Sequence, residues 1–113
     1  MSYVFSIFLS IIFIIPIAFA EEVTTIGNLE RGMSATIEGE VSRILDEDEF
    51  RIQDETGSVR VYIGWKNRVS FPTGEKLTVR GIVDDDLESY FRPELYALEI
   101  IREDGTLIKL NQE

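Results

Sequence analysis

Hydrophobic and polar residues alternate with a period of two from Ser34 onward. Ile37 and Val41 fall on one side of this pattern, and charged residues fall on the other. Such alternation is typical of a β-strand with one buried face. Gly39 in the middle of the segment predicts a bend, and Ile44, which is out of phase with Val41, predicts a β-bulge near Ser42-Arg43.

Four further segments show the alternation of strands. The residues predicted to share one face of each strand are Phe50 and Ile52 in the second, Val59, Val61 and Ile63 in the third, Leu77, Val79, Gly81 and Val83 in the fourth, and Tyr96, Leu98 and Ile100 in the fifth. Residues 106–110 predict a short sixth strand after an Asp-Gly turn.

The connections differ in length. Tight turns at residues 46–49 and 54–57 join the first three strands, and Gly57 is free to adopt a positive φ there. Residues 64–73 lose the alternation, which predicts one helical turn or a loop with Trp65 and Val69 on the same side. Five short strands with a connector between the third and fourth predict an all-β fold, the five-stranded Greek-key barrel called the OB-fold. A small open sheet or an SH3-like barrel is the alternative.

The beginning of the chain has a different character. Residues 3–20 contain no charged side chain and end in Ala18-Phe19-Ala20, which is typical of a secretory signal peptide. No Lys or Arg precedes the apolar run, so an uncleaved anchor stays open, because the run approaches the ~20 residues that span a bilayer. The sequence therefore predicts an exported protein with a leader at 1–20, a lead-in at 21–33 and the barrel domain at 34–113.

Composition restricts the chemistry. The 113 residues include no His and no Cys, which removes the commonest general base, thiolate nucleophiles and the best zinc or haem ligands. We therefore expect no catalytic residues, no enzymatic activity and no cofactor. The net charge of −10 is unevenly distributed, because residues 50–80 carry a net positive charge between two acidic ends.

The second and third strands carry the candidate ligand site. The residues concerned are Arg51, Gln53, Arg60 and Tyr62, which point outward, with Trp65 nearby. Arginine can bind phosphate or carboxylate, and aromatic rings can stack on a base or a sugar. The alternative is that the arginines only pair with neighbouring acids. We favour an envelope glycan such as peptidoglycan, whereas nucleic acid is disfavoured because the flanking loops are negative.

Acidic residues in two turns form a second candidate. Asp46 and Asp48 lie between the first two strands, and Asp84 and Asp86 lie between the fourth and fifth. In an OB barrel both loops flank the ligand face. Together they would suit Ca²⁺ or a cationic small molecule such as a polyamine, although neither run matches an EF-hand. The alternative is that they are solvated turns.

Several segments together resemble a known family. They are Ile37-Glu38-Gly39-Glu40-Val41, residues 49–63 with their Asp54-Glu55-Thr56-Gly57 turn, Trp65, Gly74-Glu75-Lys76-Leu77-Thr78-Val79-Arg80-Gly81, and residues 95–100. In these segments the chain resembles the bacterial OB-fold (BOF) family of small periplasmic proteins. The resemblance implies a periplasmic location and a role in envelope or stress adaptation. From the apolar run, we expect contact with a membrane only through the leader, if that is uncleaved.

Overall fold

A computed structural model describes residues 22–85 and 93–112. The predicted signal peptide lies outside the described residues, as does most of the connection between the fourth and fifth strands. The strands are β1 Ser34–Asp46, β2 Glu49–Asp54, β3 Gly57–Tyr62, β4 Lys76–Val83, β5 Glu94–Ile101 and β6 Leu107–Lys109, and a 3₁₀ helix, Ile26–Asn28, precedes them.

The strands form one sheet that closes on itself. Their order is β3-β2-β1-β4-β5-β6, with neighbours antiparallel. A short parallel pairing of β3 with β5, from Arg60 opposite Glu94 to Tyr62 opposite Tyr96, closes the barrel. The predicted order of three strands, a connector and two strands is confirmed, and this closed five-stranded barrel is an OB-fold.

The alternating side chains of β1 to β4 fill the barrel as predicted. The inward residues of these strands include Ile37, Ile52, Val61 and Val79, each fully buried. The backbone of β2 approaches β1 closely at Gly39, where an added Cβ would collide with the carbonyl oxygen of Gln53. The pairing of β1 with β2 shifts just after Val41, which confirms the predicted bulge.

The predicted face of β5 was wrong. Leu95, Ala97 and Ile100 are buried, whereas Tyr96 is 36 % exposed. Glu99 pairs with Arg80 on β4 while Ala97 pairs with the next residue, so Leu98 is an extra residue in the ladder. This bulge reverses the alternation, so the phase seen at Ile100 does not extend back to Tyr96.

The β2–β3 turn also differs from the prediction. Gly57 does not have a positive φ, unlike Gly74 and Gly105. The turn is held instead by one Asp54 oxygen, which accepts hydrogen bonds from the backbone N–H of Thr56 at 2.7 Å and of Gly57 at 3.1 Å. The aspartate thus supplies the geometry that the glycine was expected to supply.

The connector at 64–73 is a loop, not a helical turn. Phe71 from this loop is buried and packs on Phe50 with ring centroids 5.4 Å apart, which closes one end of the barrel. Ile26 from the lead-in is buried in the same core. In residues 22–85 and 93–112 there is no helix of the length and hydrophobicity needed to cross a membrane.

Candidate ligand-binding site

Three arginines lie side by side on the outer face of β1, β2 and β3. Arg43 is opposite Arg51, and Arg51 is opposite Arg60. We call Arg43, Arg51 and Arg60 the arginine row. Like charges directly opposite each other destabilise a sheet. Such an arrangement therefore favours an anion placed between the guanidinium groups.

The bulge after Val41 gives Arg43 its place in the row. A regular strand would place residue 43 on the same side as Val41, which is buried. The extra residue, Ser42, reverses the phase, and its hydroxyl donates a hydrogen bond to the carbonyl oxygen of Arg51 at 3.3 Å. Sequence reasoning found the bulge but not its consequence for Arg43.

Acidic and polar neighbours compensate the positive charge of the arginine row only in part. Arg60 forms an ion pair with Glu49 on β2. Arg51 donates a hydrogen bond from Nη1 to the hydroxyl of Ser58 at 3.1 Å. The alternative that these arginines serve only to pair with acids therefore describes Arg60. Arg51 and Arg60 line a depression of about 400 Å³ together with Leu45 and the acids Asp46 and Glu49, while Arg43 lies in the row outside this lining.

The other predicted site residues lie apart from this depression. Tyr62 packs edge-on against Tyr96, with ring centroids 5.8 Å apart. Trp65 is 66 % exposed, with the ammonium of Lys66 5.2 Å from its ring centroid, and it borders a separate depression of about 290 Å³. Gln53 borders a third concavity. The structure thus brings Arg51 and Arg60 together, with Gln53 next along the outer face of β2 and opposite Ser58, whereas Trp65 borders a different depression.

The two acidic turns meet at one end of the barrel near Glu94. Burial raises the pKa of the Glu94 carboxyl, and the negative charges of Glu49, Asp84 and Asp48 raise it further against the opposing charge of Arg60. Asp84 also accepts a hydrogen bond from the hydroxyl of Tyr96 at 3.3 Å. One described acid from each turn, Asp48 and Asp84, therefore acts on the same carboxyl at this end of the barrel.

The second candidate site, in these two turns, is described only in part. Within the described ranges, no three or more acidic side chains are grouped in a way that could hold a metal ion. This applies to Asp46, Asp48 and Asp84, while Asp86 lies outside the described residues.

A larger concavity lies elsewhere on the outer face, across β2, β1, β4 and β5. It has a volume of about 800 Å³ and is lined by residues 38–40, 53–55, 76–78 and 101–103. We call it the acidic groove, because Glu38, Glu40, Asp54, Glu55 and Glu103 line it. A volume of this size is in the range of small-molecule sites.

The closed barrel with grooves across its outer strands defines an OB-fold protein. No protein-family model and no curated protein matches the sequence. Among solved structures, the chain is similar to the hypothetical protein YgiW from E. coli, at 23% identity over 73% of this chain and 90% of that one, with a TM-score of 0.59.

A second similar structure is the S. pombe Stn1–Ten1 complex, at 18% identity over 77% of this chain and 82% of that one, with a TM-score of 0.54. YgiW is a bacterial OB-fold (BOF) protein, so the resemblance seen in the sequence is confirmed at the level of the fold. At these identities the two likenesses establish the fold alone.

Proposed function

We propose that this protein is an exported, non-enzymatic binding module that holds a carboxylate-bearing glycan, such as a peptidoglycan fragment, on the arginine row. The observation that carries the proposal is the direct cross-strand alignment of Arg43, Arg51 and Arg60. Export is supported by the predicted leader and by the resemblance to periplasmic proteins. The predicted site is thereby kept on β2 and β3 and extended to β1.

The energetics favour an anionic ligand at this position. Like charges directly opposite each other destabilise the sheet, and the ion pair with Glu49 offsets this at Arg60. A bound carboxylate would turn that repulsion into attraction, because guanidinium groups bind carboxylates through two parallel hydrogen bonds. Leu45, which is 36 % exposed beside the row, offers apolar contact to a sugar ring.

Binding of soluble peptidoglycan fragments to the full-length protein tests the proposal. We expect the double variant Arg43→Gln, Arg51→Gln to weaken binding by about tenfold or more, because each charge-assisted hydrogen bond contributes about 1.5–3 kcal/mol. The matched control is Arg80→Gln on β4, since Arg80 pairs with Glu99 away from the row. Isothermal titration calorimetry measures both affinities.

Stability distinguishes a ligand site from a structural one. The double variant should melt at the same temperature as the wild type or higher, because it removes repulsion from the unliganded sheet. Unchanged affinity in the double variant would refute the site. Tighter binding of single-stranded DNA than of the glycan at about 0.15 M salt would show instead that the row recognises phosphates.

A further inference from the structure

The barrel is closed by a short ladder, which we call the seam. It consists of the three parallel residue pairs from Arg60 opposite Glu94 to Tyr62 opposite Tyr96. By comparison, β1 pairs with β4 over seven residue pairs. Parallel pairing is also slightly less stable per residue than antiparallel pairing. The seam is therefore a place where we expect the wall of the barrel to open locally.

Acidic residues from three neighbouring elements surround Glu94 at the start of the seam. Glu49 is on β2, the next strand beyond β3. The backbone N–H of Asp84, just after β4, donates a hydrogen bond to the carbonyl oxygen of Glu94 at 2.8 Å. The carbonyl oxygen of Asp48, in the β1–β2 turn, accepts a hydrogen bond from the backbone N–H of Ile63 at 2.9 Å, just after β3. The turn is thereby fixed beside the seam.

The charged groups that face Glu94 are of both signs. They are Glu49 on β2, Arg60 on β3, Asp84 after β4 and Asp48 in the β1–β2 turn. The positive charge of Arg60 is shared, because Arg60 also forms an ion pair with Glu49. Burial and the three acids outweigh Arg60 and hold the pKa of the Glu94 carboxyl above its usual 4.5. A negative charge on Glu94 therefore opposes the closed seam.

We propose that protonation of Glu94 tightens the seam, so that the barrel closes more firmly as the pH falls. The neutral carboxyl is not repelled by the surrounding acids, and its burial costs less hydration energy. A carboxyl whose pKa is raised by folding adds stability below its unfolded-state pKa, and this stability is lost as the pH rises through the folded-state pKa. Although Arg60 belongs to both the seam and the arginine row, the proposal does not depend on a glycan.

Thermal unfolding of the full-length protein at pH 7 and at about pH 3.5 tests the seam. Glu94→Gln mimics the protonated carboxyl, and we expect it to raise the melting temperature at pH 7 by roughly 2–4 °C. This gain should vanish at about pH 3.5, where the wild-type carboxyl is itself protonated. The matched control is Glu103→Gln, which removes the same charge at an exposed position beyond the other end of β5 and should change the melting temperature much less.

Hydrogen exchange locates the effect within the barrel. Protection factors correct for the intrinsic effect of pH on exchange. In the wild type at pH 7, we expect the amides of residues 60–62 and 94–96 to be less protected than those of the β1–β4 ladder. This difference should narrow at about pH 5 in the wild type, and already at pH 7 in Glu94→Gln.

Three results would overturn the pH-dependent seam. Equal stabilisation by Glu94→Gln and Glu103→Gln would mean that only the net charge matters. A lower or unchanged melting temperature of Glu94→Gln at pH 7 would mean that the carboxylate supports the seam through Arg60. Seam protection that is the same at pH 5 and pH 7 would show no coupling to protonation. The Arg43→Gln, Arg51→Gln variant should keep the pH dependence of the seam, so this test and that of the glycan fail independently.

Discussion

Asp54 links the lead-in to the barrel, and the substitution Asp54→Asn should lower the stability of the folded protein. Its Oδ2 accepts a hydrogen bond from the backbone N–H of Ile26 at 2.8 Å. Its Oδ1 accepts bonds from the backbone N–H and the hydroxyl of Thr56 and from the backbone N–H of Gly57. An asparagine has nearly the same shape but only one acceptor oxygen, so it must turn an NH₂ group toward a backbone donor.

The expected loss is about 2–3 kcal/mol of unfolding free energy. Hydrogen bonds to a charged group contribute about 1.5–3 kcal/mol, and at least one such bond is lost with its donor left unsatisfied. Ile26 is buried in the core, so loosening the lead-in also exposes apolar surface. In a domain of this size, the melting temperature should fall by roughly 8–24 °C.

The pH dependence of stability gives a second test of the hydrogen bonds of Asp54. Burial alone raises the pKa of the Asp54 carboxyl, but hydrogen bonds from Ile26, Thr56 and Gly57 outweigh it and hold that pKa below its usual 3.8. A carboxyl whose pKa is lowered in the folded state stabilises the protein at pH values above its unfolded-state pKa. This stabilisation is lost as the pH falls through the folded-state pKa. The difference between wild type and Asp54→Asn should therefore shrink below pH 3.8.

Thermal unfolding followed by circular dichroism at pH 7 and at about pH 3 measures both effects. Asp85→Asn, at an exposed position, is the matched control and should melt like the wild type. A melting temperature for Asp54→Asn within about 2 °C of the wild type at pH 7 would refute the role assigned to Asp54.

Two further predictions concern packing and an ion pair. Gly81→Ala places a Cβ against the carbonyl oxygen of Tyr96, so it should lower the free energy of unfolding by about 1–3 kcal/mol, as measured by urea denaturation. The control Gly57→Ala, whose Cβ meets no atom closer than 3.9 Å, should be tolerated. Arg102→Gln breaks a bond that lowers the pKa of Glu75 below its usual 4.5, so it should cost about 1–2 kcal/mol at pH 7 and less as the pH falls below 4.5. An equal cost at pH 3 and pH 7 would contradict this account of the pair.

The fold followed from the sequence because inward side chains of four strands keep their period throughout the core. The buried face of β5 was not predicted correctly, because the extra residue Leu98 is recognisable only from the pairing of β5 with β4. Gly57 was given a role that Asp54 performs, since an aspartate side chain can fix a turn without positive φ.

The candidate surfaces were harder to predict than the barrel. Arg51 and Arg60 were found because both lie on regular strands, whereas Arg43 was missed because a bulge changes its face. The acidic groove is assembled from two pairs of strands, β1 with β2 and β4 with β5, that β3 and a loop separate in sequence. Each of its acids, such as Glu38, resembles an ordinary solvated position when only its own strand is considered.

β1 is long enough to carry acidic residues and an arginine at neighbouring positions on its outer face. Its 13 residues carry Glu38 and Glu40 in the groove and Arg43 in the row, only about 10 Å further along the strand. The Debye length in physiological salt is about 8 Å. The charges of the nearest patch therefore act on an approaching molecule more strongly than the net charge of the whole protein. This gives the surface a strong local dipole moment, and the overall excess of negative charge is a poor guide to what the protein attracts.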